Sequence, residues 1–434
     1  MKRFIIEQSE DEFYSSTSGI ALVGLALNRF TNMASSLSKA VPLSHGISHA
    51  DVMRSYCALL AQGKSDFAAV EQHREDDFFR EALGISQAPS EATLRQRMDD
   101  HAKAFERVVS WSIVEFLMKT ESPLTTLSTG HIALDIDSFA MDNSDTKKEG
   151  VSRTYRNFDG YLALAAYLAN EGWLIECPLF PGSQHPQKDF IPFLQRVLAK
   201  VRQITKEKVL LRADSAHDAL GNRVELSRHA GVDYIIKWNP RKQDLEAWRQ
   251  QAFSQGKVVT PRPGKRVATF SLTEDSFRRV MRVTERTISK KGQPLLLPEI
   301  EIEGWWTSLE VSDDEVISLY RGHGLCEQYH SEIMTDMDME RFPSGKFGTN
   351  QLVMACTALV YNILRFIGQL SLVTSRGIIR HPAKRRRIKT VIQELIFFAG
   401  RLLATGRRLV LRFSRHVSGH VAAYRFAYQR LAYG

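Results

Sequence analysis

Three segments of the sequence carry acidic residues in settings suited to metal-assisted chemistry. Asp135 and Asp137 lie in ALDIDSF and share one face of a predicted strand, because side chains two residues apart point the same way. Asp214 ends a second apolar segment, LLRAD, and Glu327 lies in YRGHGLCEQYHSEIM, whose apolar residues recur at helical spacing. Mg²⁺ prefers carboxylate oxygens on rigid elements, and pairs of such ions catalyse phosphoryl transfer. Two strands and a helix therefore offer the acids that a two-metal site needs.

Each acid also has an ordinary structural interpretation. Asp135 or Asp137 could end its strand facing water, and Glu327 could be one charge on a solvated helix. Asp214 could cap the helix that follows it, although Ser215 is an equally plausible cap. An acid inside an apolar strand is costly to bury unless it is paired or holds a metal. Both interpretations of the strand acids therefore stay open on the residues alone.

The elements that must position these acids indicate a mixed α/β core. From His131 to Asn239, strand-type segments are followed by helix, strand, helix and strand. The segment after Asn239 alternates apolar and polar residues between turns, which is typical of a β-rich insertion. The predicted regions are a helical N-terminal region (1–128), the first part of the core (129–239), the insertion (240–303), the second part of the core (304–370) and a basic C-terminal region (371–434).

The N-terminal region contains a predicted helix, turn and helix in Asp76–Phe105. Gly84 closes the first helix, and Ser90 is the expected cap of the second. The second helix presents Arg95 and Arg97 on its exposed side, as a helix that reads a DNA groove would. Any helical hairpin has the same pattern, so a structural role for this segment stays open.

The charge balance of the chain favours a polyanionic partner. The 434 residues carry a formal net charge of +9 and have a pI of about 9.3, which is compatible with nucleic acid or an acidic membrane surface. Residues 375–416 contain twelve Lys and Arg against one acid, Glu394. Arg385, Arg386 and Arg387 form the centre of this basic tail, for which a phosphate-binding surface is expected.

Cysteine usage and apolar segments indicate a cytoplasmic protein. The four cysteines lack the spacing of a zinc site and are predicted to be buried thiols of a reducing compartment. The N-terminal MKRFIIEQSEDEF turns acidic instead of apolar, unlike a signal peptide. The apolar segment Gln351–Val373 is interrupted by Asn362 and Arg365, which predicts a core helix and not a membrane span.

The order ALDIDSF, RADSAHD and YRGHGLCEQYHSEIM resembles the bacterial insertion-sequence DDE transposases. The most similar branch is the hairpin-forming cut-and-paste group, with a β insertion before the Glu and a Tyr-x2-Arg-x3-Glu-x6-Lys signature. PLFPGSQH, DYIIKWN, WWTSL and NQLVMACTALVYNILRFIG are further matches, and the resemblance runs from about His131 to Phe366. It implies an α/β fold: an RNase H-like mixed-sheet catalytic core interrupted by a β-rich insertion, with a helical N-terminal DNA-end-binding domain and a basic helical C-terminal tail for DNA binding or dimerisation.

Carried over residue by residue, the resemblance implies that Asp137, Asp214 and Glu327 are the DDE triad, as catalytic residues and metal ligands. Asp137 is preferred to Asp135 because the family has a small residue, here Ser138, directly after its first Asp. Asp135 could assist, or it could pair with a neighbouring base.

The signature implies DNA contacts on the same helix, with two departures. Tyr320 matches the signature Tyr, whereas His323 stands at the Arg position and Met334 at the Lys position. Neither replaces the missing charge at neutral pH, and Arg321 could partly replace the guanidinium. We expect Tyr320, Arg321 and His323 to contact DNA.

A hairpin-forming enzyme would also stack an aromatic residue on a flipped base. Trp305 is a candidate for this DNA contact, beside Trp238 and Trp306, and core packing is the alternative for each.

The implied reaction is DNA transposition. The resemblance implies two Mg²⁺ ions per active site, with Mn²⁺ as a substitute, for strand hydrolysis at transposon ends and strand transfer into target DNA. The implied partners are double-stranded DNA, as terminal inverted repeats and as target, and a second copy of the chain in a synaptic complex. The expected location is the bacterial nucleoid in the cytoplasm, with no membrane partner.

Two other functions remain as alternatives. A non-catalytic DNA-binding protein derived from a transposase would explain the departures at His323 and Met334. An RNase H-like host nuclease would use the same metal ligands without transposition.

Overall fold

The computed structural model of the protein describes residues 13–289, 291–372, 385–406 and 408–434. The N-terminal region is mainly helical, as predicted. Its elements are β1 (Phe13–Ser15), α1 (Ile20–Phe30), α2 (Met33–Ala40), α3 (His49–Ala61), the 3-10 helix Phe67–His73, α4 (Asp77–Leu83) and α5 (Glu91–Lys119).

The first part of the core begins after α5. Its elements are β2 (Ile132–Asp142), β3 (Ser152–Arg153), β4 (Asp159–Leu168), β5 (Trp173–Glu176), β6 (Leu179–Pro181), α6 (Phe190–Ile204), β7 (Val209–Ala213), the 3-10 helix Ser215–His217, α7 (Leu220–Ser227) and β8 (Val232–Lys237).

The rest of the chain adds an antiparallel meander, a helical return and a C-terminal hairpin. These elements are α8 (Leu245–Gln255), β9 (Lys257–Arg262), β10 (Lys265–Glu274), β11 (Phe277–Ile288), β12 (Pro294–Thr307), α9 (Asp313–Arg321), the 3-10 helix Gly322–Leu325, α10 (Cys326–Ser331), the π-helix Glu332–Asp336, α11 (Phe347–Leu372), α12 (Ile388–Val391), the π-helix Ile392–Ile396, β13 (Gly400–Thr405), β14 (Arg408–Phe413), the 3-10 helix Arg415–Val417 and α13 (Ser418–Tyr433).

Within the described residues, eleven strands form one mixed sheet, in the order β3-β4-β2-β7-β8-β12-β11-β10-β9, with β5 and β6 paired to β4. The pairs β2–β7 and β7–β8 are parallel, whereas β2–β4 is antiparallel. This is an RNase H-like core with an insertion. Because β12 pairs with β8 through Trp305–Thr307, the insertion extends the core sheet beyond β8.

The helix, turn and helix of the N-terminal region begin and turn at the predicted residues, but the second helix is longer than the predicted segment, which ends at Phe105. Gly84 ends α4 in the left-handed conformation, with φ of 61°, and the Ser90 side chain accepts a hydrogen bond from the Thr93 N–H. Helix α5 then continues to Lys119, with a break in its helical geometry at His101, and it packs against α11. The second helix is therefore also a core helix of the protein.

The C-terminal region contains a hairpin in addition to helices. Strand β13 pairs with β14 on one side and with β1 on the other, so the two ends of the described chain share a three-stranded sheet. Gly406, with φ of 58°, lies between the hairpin strands, where a residue with a side chain would be strained.

Helix α11 is the one described helix long and apolar enough to cross a membrane by length and composition. The most apolar part of it is 94% buried inside the protein, as expected for a core helix. The four cysteines are buried free thiols, as predicted.

Candidate active site

The first two predicted acids lie side by side on neighbouring parallel strands, Asp137 within β2 and Asp214 directly after β7. Asp135 of β2 pairs in register with Arg212 of β7, and Ile136 pairs with Ala213. Continuing that register brings Asp137 opposite Asp214, which directly follows β7. Because alternate residues of a strand share a face, both acids point to the same side of the sheet.

The third acid, Glu327, lies in a segment that is less regular than the predicted helix. The segment consists of α9, a 3-10 turn over Gly322–Leu325, the short helix α10 and a π-helical end. Glu327 is exposed in the first turn of α10, and no hydrogen bond or ion pair joins it to another described residue. Its carboxylate is thus free to take a ligand.

A cavity of about 720 Å³ is lined by Asp137, Asp214 and Glu327 together. The sequence separates these acids widely, and the fold brings them to one surface. The other lining residues are Ser138, Arg153, Thr154, Tyr155, Arg156, Gly182, Ser183, Gln184, His185, Pro186, Ala216, His323, Gly324 and His330.

Neither strand acid is neutralised by a Lys or Arg of the described residues. Burial raises the pKa of Asp137 to about 6, an effect that the charge of Asp214 reinforces and that His323 opposes. Burial also raises the pKa of Asp214, again opposed by His323. Their backbone partners are the N–H groups of Ser138 and Ala216. Two neighbouring carboxylates without a Lys or Arg partner among the described residues are a donor set that fits divalent metal ions.

Two buried histidines lie behind the strand acids. His330 Nδ1 is 3.9 Å from Asp137 Oδ2, and His217 Nε2 is 3.7 Å from Asp214 Oδ1. Their rings stack on Phe139 and Phe190. Burial lowers the pKa of each histidine to about 3, so both imidazoles are neutral.

Beneath the acids lies a buried polar cluster built around Arg212. Its Nε and Nη2 atoms donate to the two oxygens of Asp135, both at 2.7 Å, and its Nη1 donates to the Leu319 carbonyl at 2.7 Å. His323 Nδ1 donates to Asp135 at 3.0 Å. Asp135 is therefore paired with a base, which was one of the two roles left open for it.

A family model described as transposase DDE domain group 1 matches residues 13–432. The chain belongs to this family. Membership supports a DNA transposase function. The piggyBac transposase, in the cryo-EM structure of its synaptic complex with hairpin DNA, is 8% identical, with a TM-score of 0.45 over 88% of this chain and 80% of that chain. No curated protein matches the chain.

In this DDE transposase, the residues of the signature helix occupy different environments. Arg321 is exposed, whereas His323 is 7% exposed and engaged with Asp135. Tyr320 is half-buried, and its ring centroid is 5.5 Å from that of His323. Burial, with the charges of the nearby acids, raises the pKa of Tyr320. His323 exposes little surface, and its Nδ1 is bonded to Asp135, so its DNA contact stays a prediction.

Trp305 is 2% exposed and packs against Tyr320 in a small apolar cluster between the sheet and α9. The Lys237 ammonium lies 4.5 Å from its ring centroid. Trp305 is therefore packed in the core, which was the alternative to a DNA contact. Neither face of its ring is open to a base.

The three central arginines of the basic tail are paired with acids or polar groups of the transposase itself. Their partners are Glu332 and Gln328 for Arg385, Glu394 and Ser371 for Arg386, and Asp336 and Ser331 for Arg387. The contacts of Arg385 and Arg387 join the tail to the segment that carries Glu327. The three arginines thus have intramolecular partners in the described structure, and their role in binding phosphate stays a prediction. The basic residues at 376, 380, 384 and 407 lie outside the described residues.

The two arginines of the N-terminal helix remain partly exposed. Arg95 pairs with Glu91 at 2.7 Å and lies over the Phe67 ring. Arg97 contacts His49 Nδ1 at 3.4 Å. Their role in binding DNA stays a prediction.

Sequence patterns did not single out the cations of the cavity wall. Arg153, Tyr155 and Arg156 follow or belong to β3, and all three line the cavity. The quoted segment PLFPGSQH contributes His185 to the same wall. RTYR is a short basic and aromatic cluster, and only the fold brings it beside the acids.

One further group of potential ligands is Asp135, His323 and Cys326. Both oxygens of Asp135 already accept from Arg212, and His323 donates to the same carboxylate. The Arg212 guanidinium thus occupies the position that a metal ion would need. Asp135, His323 and Cys326 therefore do not suit a metal site.

Proposed function

We propose that the protein is a metal-dependent DNA transposase that cleaves transposon ends and joins them to target DNA. Asp137, Asp214 and Glu327 are its metal ligands and catalytic residues. The observation that carries the proposal is that three acids from distant parts of a DDE-family chain line one cavity and have no Lys or Arg partner among the described residues.

The donor set suits two Mg²⁺ ions, with Mn²⁺ as a substitute. Asp137 and Asp214 would each offer oxygens from neighbouring strands, and Glu327 would close the site from the helix. When bound, such ions polarise the scissile phosphate and activate a water or a 3′-hydroxyl for in-line attack. The raised pKa values of Asp137 and Asp214 fit carboxylates that are placed to hold cations.

The protein supplies cations that would hold the DNA strand at the cavity. Arg153 and Arg156 lie on its wall beside the exposed Tyr155, whose ring can contact a sugar or base. We assign to these residues the phosphate contacts expected of the signature Arg and Lys, because His323 is buried and position 334 is Met.

The proposed partners are double-stranded DNA, both terminal inverted repeats and target, and a second copy of the chain when two ends are joined. A net charge of +9 supports the DNA partner. Exposed arginines of the hairpin β13–β14, Arg408 and Arg412, add to the surface available for phosphates.

The test uses a duplex made from the DNA that flanks the reading frame. The full chain and its Asp137→Asn, Asp214→Asn and Glu327→Gln variants are assayed for cleavage in Mg²⁺ and Mn²⁺, and for duplex binding in Ca²⁺. We expect wild type to cut and the three variants to bind without cutting. Asp142→Asn is the matched control, because Asp142 is exposed on the same strand, β2, outside the cavity.

Three results would reject parts of the proposal. Cleavage by any triad variant at the wild-type rate rejects that residue as a ligand. Binding of the end by wild type without cleavage in either metal favours the non-catalytic DNA-binding protein. Equal cleavage of the end and of an unrelated duplex, with no strand transfer, favours the host nuclease.

A further inference from the structure

A second set of three polar residues lies one level below the proposed catalytic acids. Asp135 precedes Asp137 by two residues on β2, and Arg212 precedes Asp214 by two on β7. His323 precedes Glu327 by four residues, about one helical turn.

We propose that Asp135, Arg212 and His323 are positioning residues that hold the three acids at the spacing needed for metal binding. We call Asp135, Arg212 and His323 the lower set. The inference rests on the proposed function, because the lower set would act through the metal site that Asp137, Asp214 and Glu327 are proposed to form.

The lower set fixes the two strands and the helical segment relative to each other. Arg212 donates two hydrogen bonds to Asp135 across the parallel strands β2 and β7. This contact helps to hold Asp137 opposite Asp214. The same guanidinium donates to Leu319 in α9, and His323 donates to Asp135 from the following turn. One buried carboxylate and one guanidinium thus connect all three supports.

The backbone near His323 is adapted to this contact. A Cβ at Gly322 would lie 2.4 Å from Arg212 Nη1. A side chain at position 322 would therefore displace the guanidinium from Leu319. The 3-10 turn that interrupts the predicted helix begins at this glycine.

The two levels differ in their access to water. The side chains of Asp135 and Arg212 are 2% exposed, whereas that of Asp214 is 38% exposed and Glu327 lies open to solvent. Charged hydrogen bonds in a dry environment are directional and costly to break, because a lone buried charge stays uncompensated. The lower set is consequently a rigid base for acids that must stay accessible to ions and DNA.

The test measures Mn²⁺ binding to the DNA-free full chain by calorimetry, beside thermal unfolding and duplex binding in Ca²⁺. His323→Leu removes the donor to Asp135, whereas His323→Asn keeps an N–H group close to the position of Nδ1. Asp135→Asn weakens the ion pair without changing the shape of the side chain. Glu303→Gln is the control, since Glu303 is a partly buried partner of Lys237 and Arg282 in the insertion, away from the cavity.

We expect His323→Leu and Asp135→Asn to weaken Mn²⁺ binding by about 10-fold or more, the usual effect of losing a residue that orients metal ligands. His323→Asn should recover most of this loss, and Glu303→Gln should bind Mn²⁺ as wild type does. Duplex binding in Ca²⁺ should change little in all four variants.

The inference is overturned if folded His323→Leu binds Mn²⁺ as tightly as wild type, or if His323→Asn is no better than His323→Leu. Should Asp135→Asn fail to fold, the two His323 variants still decide. If wild type binds Mn²⁺ through Asp137 but never cuts DNA, the proposed function fails while the positioning role is still measured.

Discussion

The Arg212 guanidinium and the Asp135 carboxylate form a bidentate ion pair, with both hydrogen bonds at 2.7 Å, directly across the parallel strands β7 and β2, two residues before Asp214 and Asp137. A buried pair of this kind adds little net stability compared with apolar packing, but losing one partner is strongly destabilising. The positioning role proposed above would explain why a charged pair lies in the centre of an apolar sheet. The contacts of each side chain also predict which substitutions lower stability and which lower activity alone.

Two acids five residues apart in the signature segment should behave in opposite ways. Glu327→Gln should abolish cleavage and leave the free energy of unfolding within about 0.5 kcal/mol of wild type, because Glu327 is exposed and unpaired among the described residues. Glu332→Gln should cost about 3 kcal/mol or more, because buried Glu332 pairs with Arg365 and Arg385. Denaturant unfolding and an end-cleavage assay measure both. Equal loss of stability in the two variants would contradict the described environments.

Two glycines of the 3-10 turn, Gly322 and Gly324, should respond differently to the same substitution by Ala. Gly322→Ala should lower the free energy of unfolding by about 1–3 kcal/mol, because the new methyl group meets Arg212, which three hydrogen bonds hold in place. Gly324→Ala should have little effect on stability, since no atom lies within 4 Å of its added Cβ. Thermal and denaturant unfolding decide between them. Tolerance of Gly322→Ala would show that Arg212 moves freely.

The cavity arginines should contribute to DNA binding by charge. Arg156→Ala should weaken duplex binding and reduce the salt dependence by about one phosphate contact. Arg228→Ala is the control, because Arg228 is exposed at the end of α7 and does not line the cavity. Affinities at several salt concentrations give the two slopes. Identical slopes for both variants and wild type would remove Arg156 from the DNA contact.

The basic tail should divide into a structural part and a surface part. Arg387→Ala should destabilise the protein by about 1–3 kcal/mol, because Asp336 is fully buried and would lose its charged partner. Arg412→Ala, on the exposed hairpin, should leave stability unchanged and reduce the salt dependence of duplex binding. A larger loss of DNA affinity than of stability in Arg387→Ala would instead support the predicted phosphate-binding role of that residue.

His49 predicts a pH dependence of stability away from the cavity. Burial, with the charges of Arg97 and His101, lowers the pKa of His49 from 6.5 to about 4 in the folded protein. The unfolded chain therefore binds the proton more readily, and the stability present above pH 6.5 is lost as pH falls toward 4. Between pH 7.5 and 5.5 we expect wild type to lose about 1 kcal/mol through this group. Replacing His49 with Gln should remove that part of the pH dependence in denaturant titrations, and an unchanged slope would contradict the prediction.

The sequence by itself determined the strands, the residue types of the candidate site and the DDE transposase family, although not the branch within it. ALDIDSF and LLRAD are apolar strands because their side chains suit a buried sheet, and an acid within such a strand stands out against that background. The helix caps at Gly84 and Ser90 were also predictable from the sequence, since capping depends on local hydrogen bonds.

Only the tertiary structure decided which charged residues are available for chemistry. A sequence pattern reports a charge but not its partner, and partners far apart in the chain meet only after folding. The pattern predicts a phosphate contact for Arg387 and a DNA contact for His323, and only the fold shows that Asp336 lies beside the first and Asp135 beside the second. Arg156 carried no signal of its own, because its place on the cavity wall depends on how β3 and β4 pack beside β2.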